Sequence, residues 1–220
     1  MRTVSDNVAH DLRTPLTRIS GIVELMLSRR ELTEESRNDC ASIAEEAVRL
    51  KELINTIMDI SRTNAVPGAI QIGRINLTNV TRDFCEFMQV AFEEKKLEFS
   101  VLLPDEDIFI NADKNLYQRL LSNLLGNALK FTSRGFVALR VVREKGIIQL
   151  SVADSGCGIS EADQTQVFKR FFRSDSSRHL QGNGLGLALV KAIVKAHKWQ
   201  ISLASSPGEG SCFTVTLPEA

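Results

Sequence analysis

Three features of this 220-residue sequence hold residues whose type and spacing could do chemistry. The first is VAHDLRTPL (residues 8–16), with His10, Asp11, Thr14 and Pro15 inside an apparently amphipathic helix. An imidazole with an ordinary pKa of about 6.5 is largely neutral near pH 7, and a neutral ring nitrogen is a competent nucleophile. Thr14 follows His10 by four residues, hence on the same helix face, where its hydroxyl could position a water. Asp11 is at i+1, and adjacent helical residues do not face one another, so geometry alone gives it no role. The second stretch is NLLGNALKFT (123–132). Asn123 and Asn127 share a helix face, Lys130 lies within one turn, and amide oxygens suit a hard cation such as Mg²⁺, which keeps several waters and bridges to phosphates. The third is a pair of glycine clusters, DSGCGI (154–159) closing a strand and GNGLGL (182–187) opening a helix. Glycines at a helix entrance let the backbone approach a phosphate, and the helix N-terminus favours its charge.

Each stretch also has an ordinary reading: a lone surface histidine, solvated Asn and Lys on a surface helix, glycines that only turn the chain. Two nucleotide signatures are absent. Gly182, Gly184 and Gly186 are spaced GxGxG, with Leu187 where the dinucleotide fingerprint needs its third glycine, and no GxxxxGK[ST] occurs.

These side chains must be carried by two blocks of different period. From Val4 to Ser61 the pattern is helical: Val4, Val8, Leu12, Leu16, Ile19, Val23 and Met26, then Ile43, Ala47, Leu50, Ile54 and Ile57. Between the two series Thr33 can cap a second helix with Glu34 and Glu35 in its first turn, giving a hairpin whose loop falls at about 28–34. Two such stripes cannot be buried by one hairpin, so pairing into a dimeric four-helix bundle is expected. Pro15 lacks an N–H and its ring crowds the Asp11 carbonyl, so a bend just beyond His10 is expected. That bend would leave the imidazole projecting from the bundle.

Pro67 and Gly68 break the period, and residues 65–72 read as a linker between a helical domain at 1–64 and a second domain at 73–220. There Val80, Phe84, Phe87 and Ala91 suggest a helix, and LEFSVLLP and DIFINAD alternate like strands. A helix follows from Asp113, its N-cap, to Leu129. Strands are expected at 135–143, 147–153, 200–205 and 212–217, with a helix at about 185–197. Strands that succeed one another without helices favour an α+β two-layer sandwich over a doubly wound sheet.

The composition is that of an ordinary globular chain, 43% hydrophobic and 25% charged. Lys+Arg and Asp+Glu are both 27, which gives no electrostatic reason to expect nucleic acid or an anionic membrane as a ligand. Cys40, Cys85, Cys157 and Cys212 are scattered without metal-ligand spacing and suit a reducing, cytoplasmic compartment. No apolar run reaches the roughly 20 residues of a membrane span, so no direct membrane contact is expected of this chain. It begins a few residues before its first motif and reads as a piece of something longer.

Taken in order, HDLRTP, NLLGNALKFT, DSGCGI, VFKRFFR (167–173), GNGLGL and GEGS (208–211) resemble the phosphoacceptor and nucleotide-binding boxes of sensor histidine kinases of two-component systems. The resemblance covers roughly residues 4–217. It implies a homodimeric helical hairpin followed by a gyrase-type (Bergerat) ATP-binding sandwich. His10 would be the phosphoacceptor, Asp11 the acid that orients it and handles its proton, and Thr14 the residue used to dephosphorylate a partner. Asn127, with Asn123 beside it, would hold Mg²⁺; Lys130 would contact phosphate, with Phe131 at the site. Asp154 would accept the adenine amino group, and Gly156 and Gly158 would let the chain turn beneath the base. Gly182, Gly184, Leu185 and Gly186 would form the phosphate-facing end of a polar lid from about Arg173 to Asn183. Arg170 and Arg173, beside Lys169, are compatible equally with a role at the transferring phosphoryl group and with surface charge. The implied cofactors are ATP and Mg²⁺, and the implied partner is a response regulator with a receiver-domain aspartate, phosphorylated and also dephosphorylated by this protein. By family habit, a longer form would be anchored in a bacterial inner membrane.

One departure is local: Lys198 and Trp199 follow His197 where many relatives have two glycines. Neither His197 nor His179 receives a chemical role. Two rival readings are a hydrolytic gyrase-type ATPase and a dimeric binding module with a degenerate nucleotide site. Asn123 speaks against the first, because an amide is a poor general base. The intact Asn, Asp and Gly positions speak against the second.

Overall fold

The structure, a computed structural model, describes residues 4–28, 33–64, 70–174 and 183–220; the side chains of residues 4–13 and of Asn64 lie outside the description. Most of the expected hairpin loop, linker and lid, Gly182 among them, and the side chains of His10 and Asp11 therefore lie outside the described residues. The chain divides into two compact units, Met1–Arg62 and Thr63–Ala220.

The first unit holds helices α1 (Val4–Leu27) and α2 (Glu34–Asn64). Pro15 lies inside α1, well past its first turn, and the upstream turns at Val4 and Val8 are helical as their stripe implies. Thr33 caps α2 as its position predicts: its hydroxyl oxygen accepts the Ser36 N–H at 3.2 Å. Across the turn, the Arg37 guanidinium donates to the Leu27 carbonyl at 3.3 Å, tying the start of α2 to the end of α1. Only part of each stripe is covered. Val23, Cys40 and Ala47 are buried, whereas Ile19, Ile22 and Leu25 on α1 and Ile43, Val48 and Ile57 on α2 are exposed.

The second unit is a two-layer α+β sandwich. Its elements are β1 (Gly73–Asn76), α3 (Leu77–Glu94), β2 (Glu98–Leu102), β3 (Phe109–Ala112), α4 (Lys114–Phe131), β4 (Phe136–Glu144), β5 (Ile147–Asp154), a short α5 (Glu161–Gln164), α6 (Gly186–Ala196), β6 (Gln200–Ser206) and β7 (Gly210–Pro218). The main sheet has the order β2-β4-β5-β7-β6, antiparallel except for the parallel pair β2–β4, and β1 pairs with β3 apart from it. The β4–β5 hairpin turns at Lys145 and Gly146, both at positive φ (52° and 77°), as a primed two-residue turn requires. Period-two alternation aims Val137, Leu139 and Val141 of β4 and Ile148, Leu150 and Val152 of β5 into the core. Leucines 120, 121, 124 and 125 of α4 and Leu189 and Ile193 of α6 are buried.

The helix expected around Val80–Ala91 exists, but its core face differs. The buried positions of α3 are Leu77, Thr78, Thr81, Cys85 and Phe92, while Phe87 is 78% exposed. The buried face is therefore rotated by roughly a hundred degrees from the apolar series. Thr78 and Thr81 disguise it, because polar residues read as solvent-facing. Inside, each hydroxyl is used: Thr78 Oγ1 accepts the Ile108 N–H at 3.1 Å, and Thr81 Oγ1 lies 2.6 Å from Tyr117 Oη and donates to the Leu77 carbonyl at 2.7 Å.

Candidate functional site

The alternation that builds β5 also delivers its last inward position, Asp154, to the helical face of the sheet, where it is buried. A lone buried carboxylate would be costly. Here the Gly156 N–H donates to Oδ1 at 2.9 Å, and the backbone N–H of Ser211, the register partner of Asp154 on β7, donates as well. Burial pushes the carboxyl above its ordinary range, and these two donors pull it back in part. The result is an acceptor held rigidly, with an oxygen lone pair left for a donor on a ligand.

Gly156 and Gly158 are required by close approach. A Cβ on Gly156 would stand 2.6 Å from the Phe131 carbonyl oxygen, and one on Gly158, which has φ +68°, would overlap the Ser206 carbonyl. The Cys157 N–H also donates to the Phe131 carbonyl, at 3.4 Å, so the end of α4 and the DSGCGI turn are held together. The last turns of α4, from Asn123 to Phe131, therefore lead up to the carboxylate.

The second group consists of Asn123, Asn127, Lys130 and the start of α6. The Asn123 side-chain N–H donates to the Arg119 carbonyl at 2.7 Å, which leaves its oxygen towards Gly186 at the start of α6; a Cβ there would come within 2.5 Å of Oδ1. Leu185, the N-cap of α6, offers no side-chain hydrogen bond to the first-turn N–H groups. Asn127 lies one turn along α4 from Asn123. The Lys130 ammonium lies 4.7 Å from the Phe131 ring centre, and burial, with a contribution from Arg173, pushes its pKa down. The charge on Lys130 therefore singles out Arg173 from the basic cluster, whereas Arg170 is exposed.

Gly184, at φ +64°, closes on Phe171: the Phe171 N–H donates to the Gly184 carbonyl at 2.8 Å, and a Cβ on Gly184 would press into the Phe171 and Phe172 backbone. The Leu185 side chain is buried, so in the structure its side chain belongs to the core and only its backbone reaches the helix entrance. Thr14 is exposed on α1. Among the described residues no three His, Cys, Asp or Glu side chains gather to hold a metal. The amide oxygens of Asn123 and Asn127 are nonetheless a donor type that Mg²⁺ accepts, since it binds through one or two protein oxygens, water and phosphate.

Three contributors were not legible as site residues. Ser211 and Gly210 serve Asp154 through strand register, and Lys95 caps the carbonyls of Leu129 (2.5 Å) and Lys130 (3.3 Å) from a position 34 or more residues earlier. The GEGS stretch was the one available signal for the first two.

Comparison with known proteins identifies the family of both units. Residues 1–65 match the His Kinase A (phospho-acceptor) domain, and residues 112–220 match the histidine kinase-, DNA gyrase B- and HSP90-like ATPase family. The class is thus a phosphoacceptor helical domain joined to an ATPase-type sandwich. The chain is 37% identical over 219 residues to the circadian input-output histidine kinase CikA of Synechococcus elongatus, covering 96% of this chain and 29% of that protein. It is 30% identical over 221 residues to the sensor histidine kinase YcbM of Bacillus subtilis, covering 99% of this chain and 71% of that one. The crystal structure of full-length ShkA in complex with AMPPNP superposes with a TM-score of 0.85 at 28% identity, over 98% of this chain and 45% of that chain. The chain belongs to the sensor histidine kinase family. It spans less than a third of CikA and 18% of the sensor protein EvgS of Escherichia coli O157:H7, which it also matches. No helix among the described residues is long and apolar enough to cross a membrane.

Proposed function

We propose that this chain is the catalytic core of a two-component sensor kinase. It binds Mg²⁺–ATP between α4 and the entrance of α6, phosphorylates His10, and passes the phosphoryl group to an aspartate of a response regulator. The observation that carries the reading is a buried carboxylate acceptor, Asp154, against the end of α4, together with Asn123, Asn127 and Lys130 along the last turns of that helix and an α6 start without a side-chain cap. The first suits an exocyclic amino group and the second a polyphosphate. When bound, Mg²⁺ would neutralise phosphate oxygens beside Asn127 and Asn123. In the transfer, a ring nitrogen of His10 bonds to the γ-phosphorus, the bond from that phosphorus to the bridging oxygen breaks, and ADP leaves. Asp11 orients the ring and takes its proton. Residues 1–64 would form the phosphoacceptor domain and 73–220 the catalytic one, joined by 65–72, in the cytoplasm.

Incubation with γ-labelled ATP and Mg²⁺ tests this: protein-bound label that survives alkali and is lost in acid is expected. Free phosphate without labelled protein would instead favour a hydrolytic ATPase. Against that outcome, Asn123 is an amide whose N–H₂ is already committed to Arg119, so nothing there is a base for water.

The exposed apolar residues of α1 and α2 support a homodimer through a four-helix bundle. Light scattering should give twice the chain mass; a monomer at micromolar concentration would end that part of the reading. Thr14→Ala should abolish dephosphorylation of the phosphorylated regulator while autophosphorylation stays near wild type. Equal loss of both would remove the separate role of Thr14.

Asp154→Asn tests the acceptor. Because burial raises the Asp154 carboxyl, folding takes up protons there, and the carboxylate costs stability as pH rises through its raised value. The neutral amide should hold thermal stability at pH 7 at or above wild type, while affinity for AMPPNP falls roughly 10–100-fold. A loss of affinity that merely tracks unfolding would mean the carboxylate is structural.

A further inference from the structure

The nucleotide residues are divided between two helices, and their alignment depends on how far α4 is slid along α6. One pin is at the site, where Asn123 faces Gly186. The other is at the opposite end. His197, the C-cap of α6, is buried, and its Nε2 accepts the N–H of Asp113, the N-cap of α4, at 3.0 Å. The tautomer follows from this bond. Nε2 must be unprotonated, so Nδ1 carries the proton and donates to the Ile193 carbonyl at 2.9 Å. The ring is held flat against Trp199 (4.4 Å between centres, 28°), and Trp199 meets Tyr117 of α4 edge-on at 6.5 Å. On the other side, the Asp113 carboxylate accepts the N–H groups of Asn115 (3.0 Å), Leu116 (3.2 Å) and Gln71 (3.0 Å), so its backbone has little freedom to follow the ring.

We propose that His197 is a positioning residue for the nucleotide site: its neutral ring fixes the register of α4 against α6, and its protonation releases that register and weakens nucleotide binding. The proposal rests on reading the α4–α6 cleft as the ATP site. Protonated, Nε2 becomes a donor facing the Asp113 N–H, and two donors cannot share a bond. The buried N–H then loses its acceptor, and the helix pair slides or parts to rehydrate it. The charged and titratable groups around the ring are few. Asp113 on α4 favours the imidazolium by charge, Tyr117 on α4 is kept protonated by burial, and Lys195 and Lys198 on either side of the ring's own residue are exposed. Burial outweighs Asp113 and pushes the ring below its ordinary value. The neutral state, and the pin, are therefore present at neutral pH and lost only as pH falls through this depressed value, below the ordinary range of an imidazole.

The test compares wild type, His197→Gln and His197→Leu from about pH 7.5 down through the titration of the His197 ring. Gln places an acceptor oxygen near the position of Nε2 and does not titrate; Leu removes the acceptor. Two readouts are taken: the backbone amide resonance of Gly186 with the carboxamide resonances of Asn123, without nucleotide, and the Kd for Mg²⁺–AMPPNP. In wild type the Gly186 and Asn123 signals should move with the His197 ring titration, and AMPPNP affinity should fall about tenfold over the same interval. His197→Gln should keep near-wild-type affinity at the higher pH and lose this component of the pH dependence. His197→Leu should bind about tenfold more weakly throughout. Asp154, which also titrates, is common to all three and cancels. Signals at Gly186 and Asn123 that ignore the ring titration, or a glutamine variant whose pH profile matches wild type, would overturn the pin and leave the nucleotide reading standing. Signals that follow the ring in a protein that binds no AMPPNP at any pH would keep the pin and overturn the nucleotide reading.

Discussion

His10→Ala should incorporate no label from γ-labelled ATP while binding Mg²⁺–AMPPNP as tightly as wild type. The two halves of this result separate the acceptor from the site. His10 belongs to the helical unit, and the nucleotide groups named here, Asp154, Asn123, Asn127 and Lys130, all belong to the other, so removing the imidazole subtracts nothing from binding. Nor should it unfold α1, because alanine is the best helix former and Pro15 remains the weak point of that helix with or without the ring. Loss of label with AMPPNP retained would therefore report chemistry. Persistence of acid-labile label in the alanine variant would place the acceptor at another side chain, and loss of both readouts would point to a damaged fold.

The second large effect is expected at a residue with no chemistry of its own. Gly210→Ala should lower the melting temperature by roughly 10 °C and weaken AMPPNP binding about tenfold or more. Gly210 begins β7 at φ +91°, a conformation that costs an L-residue about 1–2 kcal/mol. The added Cβ would also overlap the carbonyl oxygen of Asp154, a backbone atom in the middle of the sheet that no rotamer change can move. The two strands must separate there, and Asp154 moves with them. Together these amount to about 3 kcal/mol or more. Gly208→Ala is the control. Its φ is +81° but nothing lies within 4 Å of its Cβ, so it should show only the conformational cost and leave AMPPNP binding intact. Equal effects of the two substitutions would show that the contact with Asp154 carries nothing.

Much of the second unit was legible because its strands alternate cleanly. Ile148, Leu150 and Val152 mark an inward face whose next member is Asp154, so both the strand and the aim of its carboxylate follow from period two. The caps were equally local, as Thr33 and Asp113 show, since a side chain that serves the N–H two or three residues ahead needs no tertiary information. On α3 the same reasoning misplaced the core face. Buried threonines satisfied by Tyr117 and by the amide of Ile108, just before β3, look polar in sequence, and what makes them tolerable inside is a partner 30 or more residues away. The basic cluster at 169–173 was undecided for a related reason. Of its arginines, Arg173 acts on the charge of Lys130, and that pairing does not exist until α4 is in place.

By itself the sequence determined the order of the elements, their amphipathic faces where these are apolar, the caps, and a set of boxes specific enough in their succession to imply a phosphoacceptor and a nucleotide site. These depend on interactions within a turn or a strand, where spacing along the chain equals spacing in space. The tertiary structure alone decided which backbone N–H groups hold Asp154, that Arg173 is the arginine whose charge Lys130 feels, that Leu185 belongs to the core, and that His197 is locked between Asp113 and Ile193. Each of these pairs groups from different elements. Their contact energies are set by strand register and helix packing, which are properties of the whole sandwich and of no segment within it.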